Sequence, residues 1–173
     1  MKNKIPQMIF AAALAVAAAG CASTPRIKPA PWTVSITKQT PASIEMDIIG
    51  VPVTDQKYYE DDSRVSYDEY WKPESNIRKD ALKISKFLPT DKPWIVTFKK
   101  DSKHPEYEDQ SSTWSDWHSR GVVELLLVAR LPGEGGLWKK PISLDKNAWK
   151  AKNRTIEVEV KDSKIEVITP PKD

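Results

Sequence analysis

Cysteine is almost absent from this chain of 173 residues. The one present, Cys21, allows no disulfide within the chain and no Cys-rich zinc site. Histidine is scarce as well: His104 and His118 are too few for a three-His metal centre. No charge sign dominates, with 27 basic against 24 acidic residues and a formal net charge of +3, so nothing points to nucleic acid. No apolar run reaches the ~20 residues that a membrane-spanning helix needs. A Gly-x-Ser-x-Gly elbow, a His-Glu-x-x-His pair and a phosphate-cradling glycine loop are all missing. The chain therefore reads as a non-enzyme, with no cofactor and no metal. What is present, 39% hydrophobic and 29% charged residues, is a globular composition that excludes wholesale disorder. The length suits one domain, since domains run about 100–200 residues.

Residues 1–20 read as an export signal. Lys2 and Lys4 precede the short apolar run from Met8 to Ala19, and small residues lead to the sole cysteine: Ala18-Ala19-Gly20-Cys21. This run resembles the lipobox of bacterial lipoproteins, in which the Cys is acylated, as with palmitate, and becomes the first mature residue. The alternative is a plain secretory signal whose Cys lies near the cut. Ala22 follows where Asp commonly marks inner-membrane retention, which implies an outer-membrane address, on the periplasmic face. Residues 21–31 carry prolines 25, 29 and 31 and form an extended tether, because each Pro fixes φ and lacks a donor.

Residues 32–169 are expected to form a single β-sandwich domain. Trp32, Val34 and Ile36 alternate with polar residues, as do Ile44, Met46 and Ile48, and these two runs suit a hairpin. Ile77, Ala81, Ile84 and Leu88 recur on one helical face between Pro73 and Pro89, predicting one inserted helix near 73–88, with Tyr70 and Trp71 pinning it to the sandwich. Trp94, Val96 and Phe98 mark another strand, and residues 100–120 read as a long polar loop. Residues 122–131 (VVELLLVARL) are apolar on both faces, as in a strand buried on both sides. Trp138, Ile142 and Leu144, then Ile156 to Val160, then Ile165 and Val167 complete a short β meander. The class is mainly β, an antiparallel sandwich.

Few residues offer chemistry. His104 with Glu108, and His118 with Asp116, are the candidate acid–base or metal pairs, and Pro105 disfavours the helical backbone that would bring the first pair together. Both histidines read more simply as exposed loop residues. Glu60-Asp61-Asp62 lacks the spacing and glycine of a calcium loop. Seven tryptophans are the anomaly. Trp32, Trp94 and Trp138 are in phase with strand cores. Trp114 and Trp117, three apart in a polar segment, share a face of one helical turn. They either anchor a protein partner, stack on sugar rings of peptidoglycan together with Tyr58 and Tyr59, or fold back to cover the core.

The carboxy-terminal half carries a resemblance. Gly121-Val122-Val123 with Leu127-Val128-Ala129, then Leu137-Trp138-Lys139-Lys140-Pro141-Ile142-Ser143-Leu144, then Thr155-Ile156-Glu157-Val158-Glu159-Val160 together resemble the outer-membrane lipoprotein of the type VI secretion membrane complex, over residues 121–168. The resemblance implies a transthyretin-like sandwich, no enzymatic activity, attachment to the membrane through acyl chains on Cys21, and docking to the periplasmic part of an inner-membrane secretion protein. Trp114 and Trp117 have no counterpart in that pattern, and the Gln39–Ala42 turn is shorter than the family's partner-contacting loop. The competing reading is an exported glycan-binding lipoprotein using the aromatic loop.

Overall fold

The computed structural model describes residues 27–100, 104–133 and 136–172. The expected signal at 1–20 and Cys21 lie outside the described residues, as does the first half of the tether. In chain order the elements are β1 (Thr33–Lys38), β2 (Glu45–Pro52), α1 (Gln56–Glu60), α2 (Tyr67–Trp71), α3 (Asn76–Asp80), β3 (Lys83–Phe87), β4 (Trp94–Thr97), β5 (Tyr107–Asp109), α4 (Ser111–Ser119), β6 (Val122–Ala129), β7 (Lys139–Ser143), β8 (Thr155–Val160) and β9 (Ile165–Val167). The strands form two facing sheets, β5-β4-β1-β8-β9 and β3-β2-β6-β7. The chain is a β-sandwich.

β1 and β2 do not form a hairpin. They lie in opposite sheets, β1 between antiparallel β4 and parallel β8, and β2 between β3 and β6. Alternation assigns Ile36 and Ile48 to an inward face but does not name a hydrogen-bonding partner, and two strands facing across a sandwich satisfy it as well as two in one sheet. The crossing is held locally: the Gln39 N–H donates to the Val160 carbonyl at 2.8 Å, and the Thr40 hydroxyl donates to Asp162. Between the sheets lies the main core, built on Trp32, Val34, Ile36, Met46, Ile48, Trp94, Phe98, Leu125, Leu127, Ile142 and Ile156.

The segment 73–88 is not one helix. Ser75 caps α3, its hydroxyl accepting from the Arg78 N–H at 3.2 Å, and the backbone straightens at Ala81 (φ −65°, ψ 137°) into β3. The apolar residues of this stretch fit two periods. Ile77 and Ala81 lie on the outer side of the four-stranded sheet, while Leu82, Ile84 and Leu88 face the inter-sheet core. The open edge of β2 decides between them, because backbone pairing there satisfies donors that a helix would leave facing water. The polar stretch 100–120 likewise contains structure, β5 and α4. The meander expected at the end is split: β7 joins the four-stranded sheet, and β8 and β9 pair in the other.

The four-stranded sheet is covered on both faces. A second apolar cluster, Ile49, Val51, Val65, Tyr70, Trp71, Leu126 and Val128, lies on its outer side beneath α1–α3. Hence β6 is apolar on both faces, as its sequence implies. Asp47, whose position in the alternation suggests a solvated face, is instead completely buried there. It accepts from the Tyr70 hydroxyl at 2.7 Å and from Arg78 Nε at 2.8 Å and an Arg78 terminal nitrogen at 3.2 Å. Arg78 also reaches Glu45 and lies 4.4 Å over the Trp71 ring. Burial and the Asp47 charge push the Tyr70 hydroxyl well above its ordinary pKa, so it remains a donor at all physiological pH.

Removing one member of a buried ion pair leaves the other charge uncompensated. Asp47→Ala is expected to destabilise the protein by about 3 kcal/mol, the low end of the usual range because Arg78 keeps some solvent. Urea unfolding checks it, and a loss below about 0.5 kcal/mol, the level of a neutral surface change, would show that the pair does not hold the outer helices.

Candidate functional site

The outer helices do not cover the whole sheet. β2 ends at Pro52, and α1 and the chain after it pass over one margin of β6 and β7. Lys139, at the start of β7, holds them down. Its ammonium donates to the Tyr59 carbonyl at 2.8 Å, lies 2.7 Å from Asp62 Oδ1, and sits 5.6 Å over the Trp138 ring. Tyr67 meets Trp138 edge-on at 5.5 Å, and its hydroxyl donates to the Leu131 carbonyl at 3.1 Å. Between these groups lies an open cleft of about 510 Å³. Glu124, Leu126 and Pro141 line it, with Trp138, Tyr59 and Tyr67, and Leu137 stands at its margin with 69% of its surface exposed.

The cleft carries unbalanced negative charge. Glu124 is the single charged residue of β6 and is half-buried on the covered face of the sheet. Burial raises its pKa, the nearby Glu60 charge raises it further, and a hydrogen bond from Gln56 works the other way; no cation among the described residues contributes. Lys139 lines the same cleft, but Asp62 occupies its ammonium. Tyr59 is pushed up to about 12, chiefly by burial and then by the neighbouring Tyr58, Asp55 and Asp80, so its hydroxyl stays protonated. Aromatic walls, an exposed leucine and carboxylates without a cation suit a side chain with an apolar stem and a positive head.

The candidate residues read from sequence are dispersed. α4 turns Trp117 into the inter-sheet core, 2% exposed, where its ring lies against Gly50 and 5.4 Å from Phe98. Trp114 packs half-buried at the core margin, 6.4 Å from Phe98. The two rings therefore do not form one exposed platform. α4 is amphipathic across that pair, and covering the core takes precedence. Tyr58 and Tyr59 meet edge-on 5.3 Å apart on α1, away from the pair. His118 is exposed beside Trp114, and Asp116 pairs with Arg120 at 3.0 Å. His104 stacks on Tyr107 at 4.5 Å. Glu108 turns to Lys86 and the Trp94 indole; burial works to raise its pKa, and hydrogen bonds from Lys86, Trp94 and Gln110 outweigh it and hold it low. Asp61 bonds to Ser63 and Arg64, and Asp62 to Lys139. Among the described residues no group of three or more His, Cys, Asp or Glu is placed to hold a metal.

Sequence reasoning passed over Glu124, Leu137 and Lys139 as site residues. The available signal was Glu124 itself, a lone carboxylate inside an apolar strand, whose significance depends on which face α1 covers.

No protein-family model matches the chain. No curated protein matches it. Among solved structures, the fold is similar to the T6SS lipoprotein TssJ1 from Pseudomonas aeruginosa, with TM-score 0.49 and 10% identity over 84% of this chain and 100% of that one. It is similar to Serratia marcescens Lip, a membrane-bound component of the type VI secretion system, with TM-score 0.49 and 9% identity over 81% of this chain and 98% of Lip. A chain of a type VI membrane complex gives TM-score 0.49 and 12% identity over 83% of this chain and 99% of that one.

Two outcomes follow from the geometry. A Cβ on Gly50 would lie 2.6 Å from Trp117, so Gly50→Ala is expected to cost about 1–3 kcal/mol by overpacking, measured by urea unfolding. At Glu124 the folded-state pKa is raised, so the native protein binds more protons than the unfolded chain just above the ordinary carboxyl pKa. Stability from this group is present at low pH and is lost as pH rises. Glu124→Gln should therefore raise the melting temperature at neutral pH, with the gain shrinking towards pH 4. An unchanged or lowered melting temperature at pH 7 would contradict it.

Proposed function

We propose that this chain is an outer-membrane lipoprotein that serves, without catalysis, as a periplasmic docking and anchoring component of a trans-envelope complex of the type VI secretion kind. One observation carries the reading: the sole cysteine sits at Gly20-Cys21, directly after a short apolar run and before a proline-rich stretch that leads into a β-sandwich. Acyl chains on Cys21 would supply anchorage at ~0.8 kcal/mol per buried methylene, and more than one chain makes attachment stable. The tether would supply reach. Two sheets with a continuous core supply a rigid body on which a docking face keeps its shape. The sequence resemblance across 121–168 spans β6, β7, β8 and β9, which include the strands of the cleft floor on one sheet and the β1 partner on the other.

In this reading the partner is the periplasmic part of an inner-membrane protein, and the cleft at Glu124, Leu137 and Trp138 is its docking face. Half-buried aromatic anchors such as Tyr59, Tyr67 and Trp138, beside a carboxylate with no cation, supply the kind of surface on which hot spots form. Trp114, half-exposed at the sandwich margin, is a further contact residue.

Affinity capture of the full-length protein from gently solubilised envelopes, read by mass spectrometry, tests the proposal. Recovery of an inner-membrane protein with a periplasmic domain is expected, and Leu137→Asp should reduce that recovery without changing the melting temperature, since Leu137 is exposed. Wild-type protein that fractionates with soluble periplasm, or brings down no envelope partner, would overturn it.

A further inference from the structure

The point where the chain enters the sandwich is fixed, and its surroundings are basic. The Lys28 N–H donates to Asp145 Oδ2 at 3.2 Å, the Lys146 N–H donates to the Lys28 carbonyl at 3.0 Å, and the Ala30 N–H donates to the Leu144 carbonyl at 2.9 Å. This is the end of the sandwich where β1 and β8 begin and β4 stops, since Thr33 is opposite both Thr97 and Thr155. Lys99 follows β4 there, Lys152 and Arg154 precede β8, and Lys172 is tied back to Ala148 by its N–H at 2.8 Å. Lys28, Lys146, Lys152, Arg154 and Lys172 are all exposed. Among the described residues, Asp145 and Glu157 are the acids beside them, and Asp145 is already engaged by the N–H groups of Lys28 and Asn147.

Two features show cations held together at a cost. Asn153 and Arg154 have φ of 51° and 55°, the left-handed region that non-glycine residues rarely occupy. That turn brings Arg154 towards Lys99, whose ammonium also donates to the Asn153 carbonyl. Burial lowers the Lys99 pKa and the Arg154 charge lowers it further. An anionic surface against this end would relieve the repulsion.

The tether sets what that surface is. Seven residue steps lead from Cys21 to Lys28, and at 3.3–3.6 Å each they span at most about 25 Å. A lipid-attached Cys21 therefore keeps the basic end within about 25 Å of the headgroups, close enough to touch but not obliged to. Charge then selects the touching state, because the attraction acts only within a Debye length of about 8 Å at physiological salt. We propose that the end of the sandwich bearing Lys28, Lys146, Lys152, Arg154 and Lys172 docks onto the anionic headgroup surface of the membrane that holds the acyl chains, which turns the cleft-bearing body to a set orientation. The inference rests on the acylation of Cys21.

The test uses the full-length protein purified from envelopes. Its intact mass first records whether Cys21 is acylated. The acylated protein is then reconstituted into vesicles of phosphatidylcholine alone or mixed with phosphatidylglycerol, and amide hydrogen exchange is followed. Slower exchange across 146–154 on the phosphatidylglycerol vesicles only, reversed by added salt, is expected. In the Lys146→Glu, Lys152→Glu, Arg154→Glu variant the ratio of docked to undocked protein should fall by roughly a hundredfold, at about fivefold for each cation lost from the surface. The salt reversal needs no variant and so holds even if the triple change disturbs folding. A mass without acyl chains would overturn the lipoprotein reading beneath the proposal. An acylated protein exchanging equally on both vesicles would overturn the docking alone, and slowing that survives the charge reversal in a folded variant would overturn its assignment to these residues.

Discussion

A carboxylate with no access to water organises one whole side of this molecule. Asp47 lies on the outer face of β2, and its charge would be intolerable there without the donors of Tyr70 and Arg78. Those donors come from α2 and α3, so satisfying Asp47 places both helices on the sheet. Their placement in turn buries Ile49, Val51, Leu126 and Val128 in a second core. Arg78 then serves several groups at once, pairing with Glu45 and covering the Trp71 ring. A hydrophobic cluster alone would hold the helices near the sheet; the directional bonds to Asp47 specify how they lie on it.

Lys139 acts in the same way further along the sheet, with a different result. It fixes the chain around Tyr59 and Val65, and Asp62 neutralises it. Glu124, two strand residues from Leu126, receives no such partner and stays half-buried beside Glu60. Asp47 is thus a carboxylate paired with a cation, whereas Glu124 has the Gln56 hydrogen bond and no such cation. On the inner face of the same sheet, Gly50 lets the Trp117 ring lie directly on the β2 backbone, and α4 seals that margin of the core.

The molecule thus divides its surface by chemistry. The aromatic and acidic cleft lies on the outer face of the four-stranded sheet, and the basic end surrounds the point where Lys28 and Ala30 join the sandwich. These two regions differ in charge and chemistry, and the sandwich between them fixes their relative direction.

Much of this was legible in the sequence where a local rule applied. The sandwich class follows from short alternating runs, the double burial of β6 from residues 122–129, and the core positions of Trp32 and Trp94 from their phase. Tertiary contacts alone decided the rest. Alternation is blind to partner choice, so it could not separate β1 and β2 into opposite sheets. Residues 82–88 fit a helix and a strand equally, and the open edge of β2 selected the strand. Glu124 and Asp47 look like polar residues on alternating or apolar strands. Their meaning came from what α1, α2 and α3 laid over them, and a charge acquires its energy from its surroundings rather than from its place in the chain.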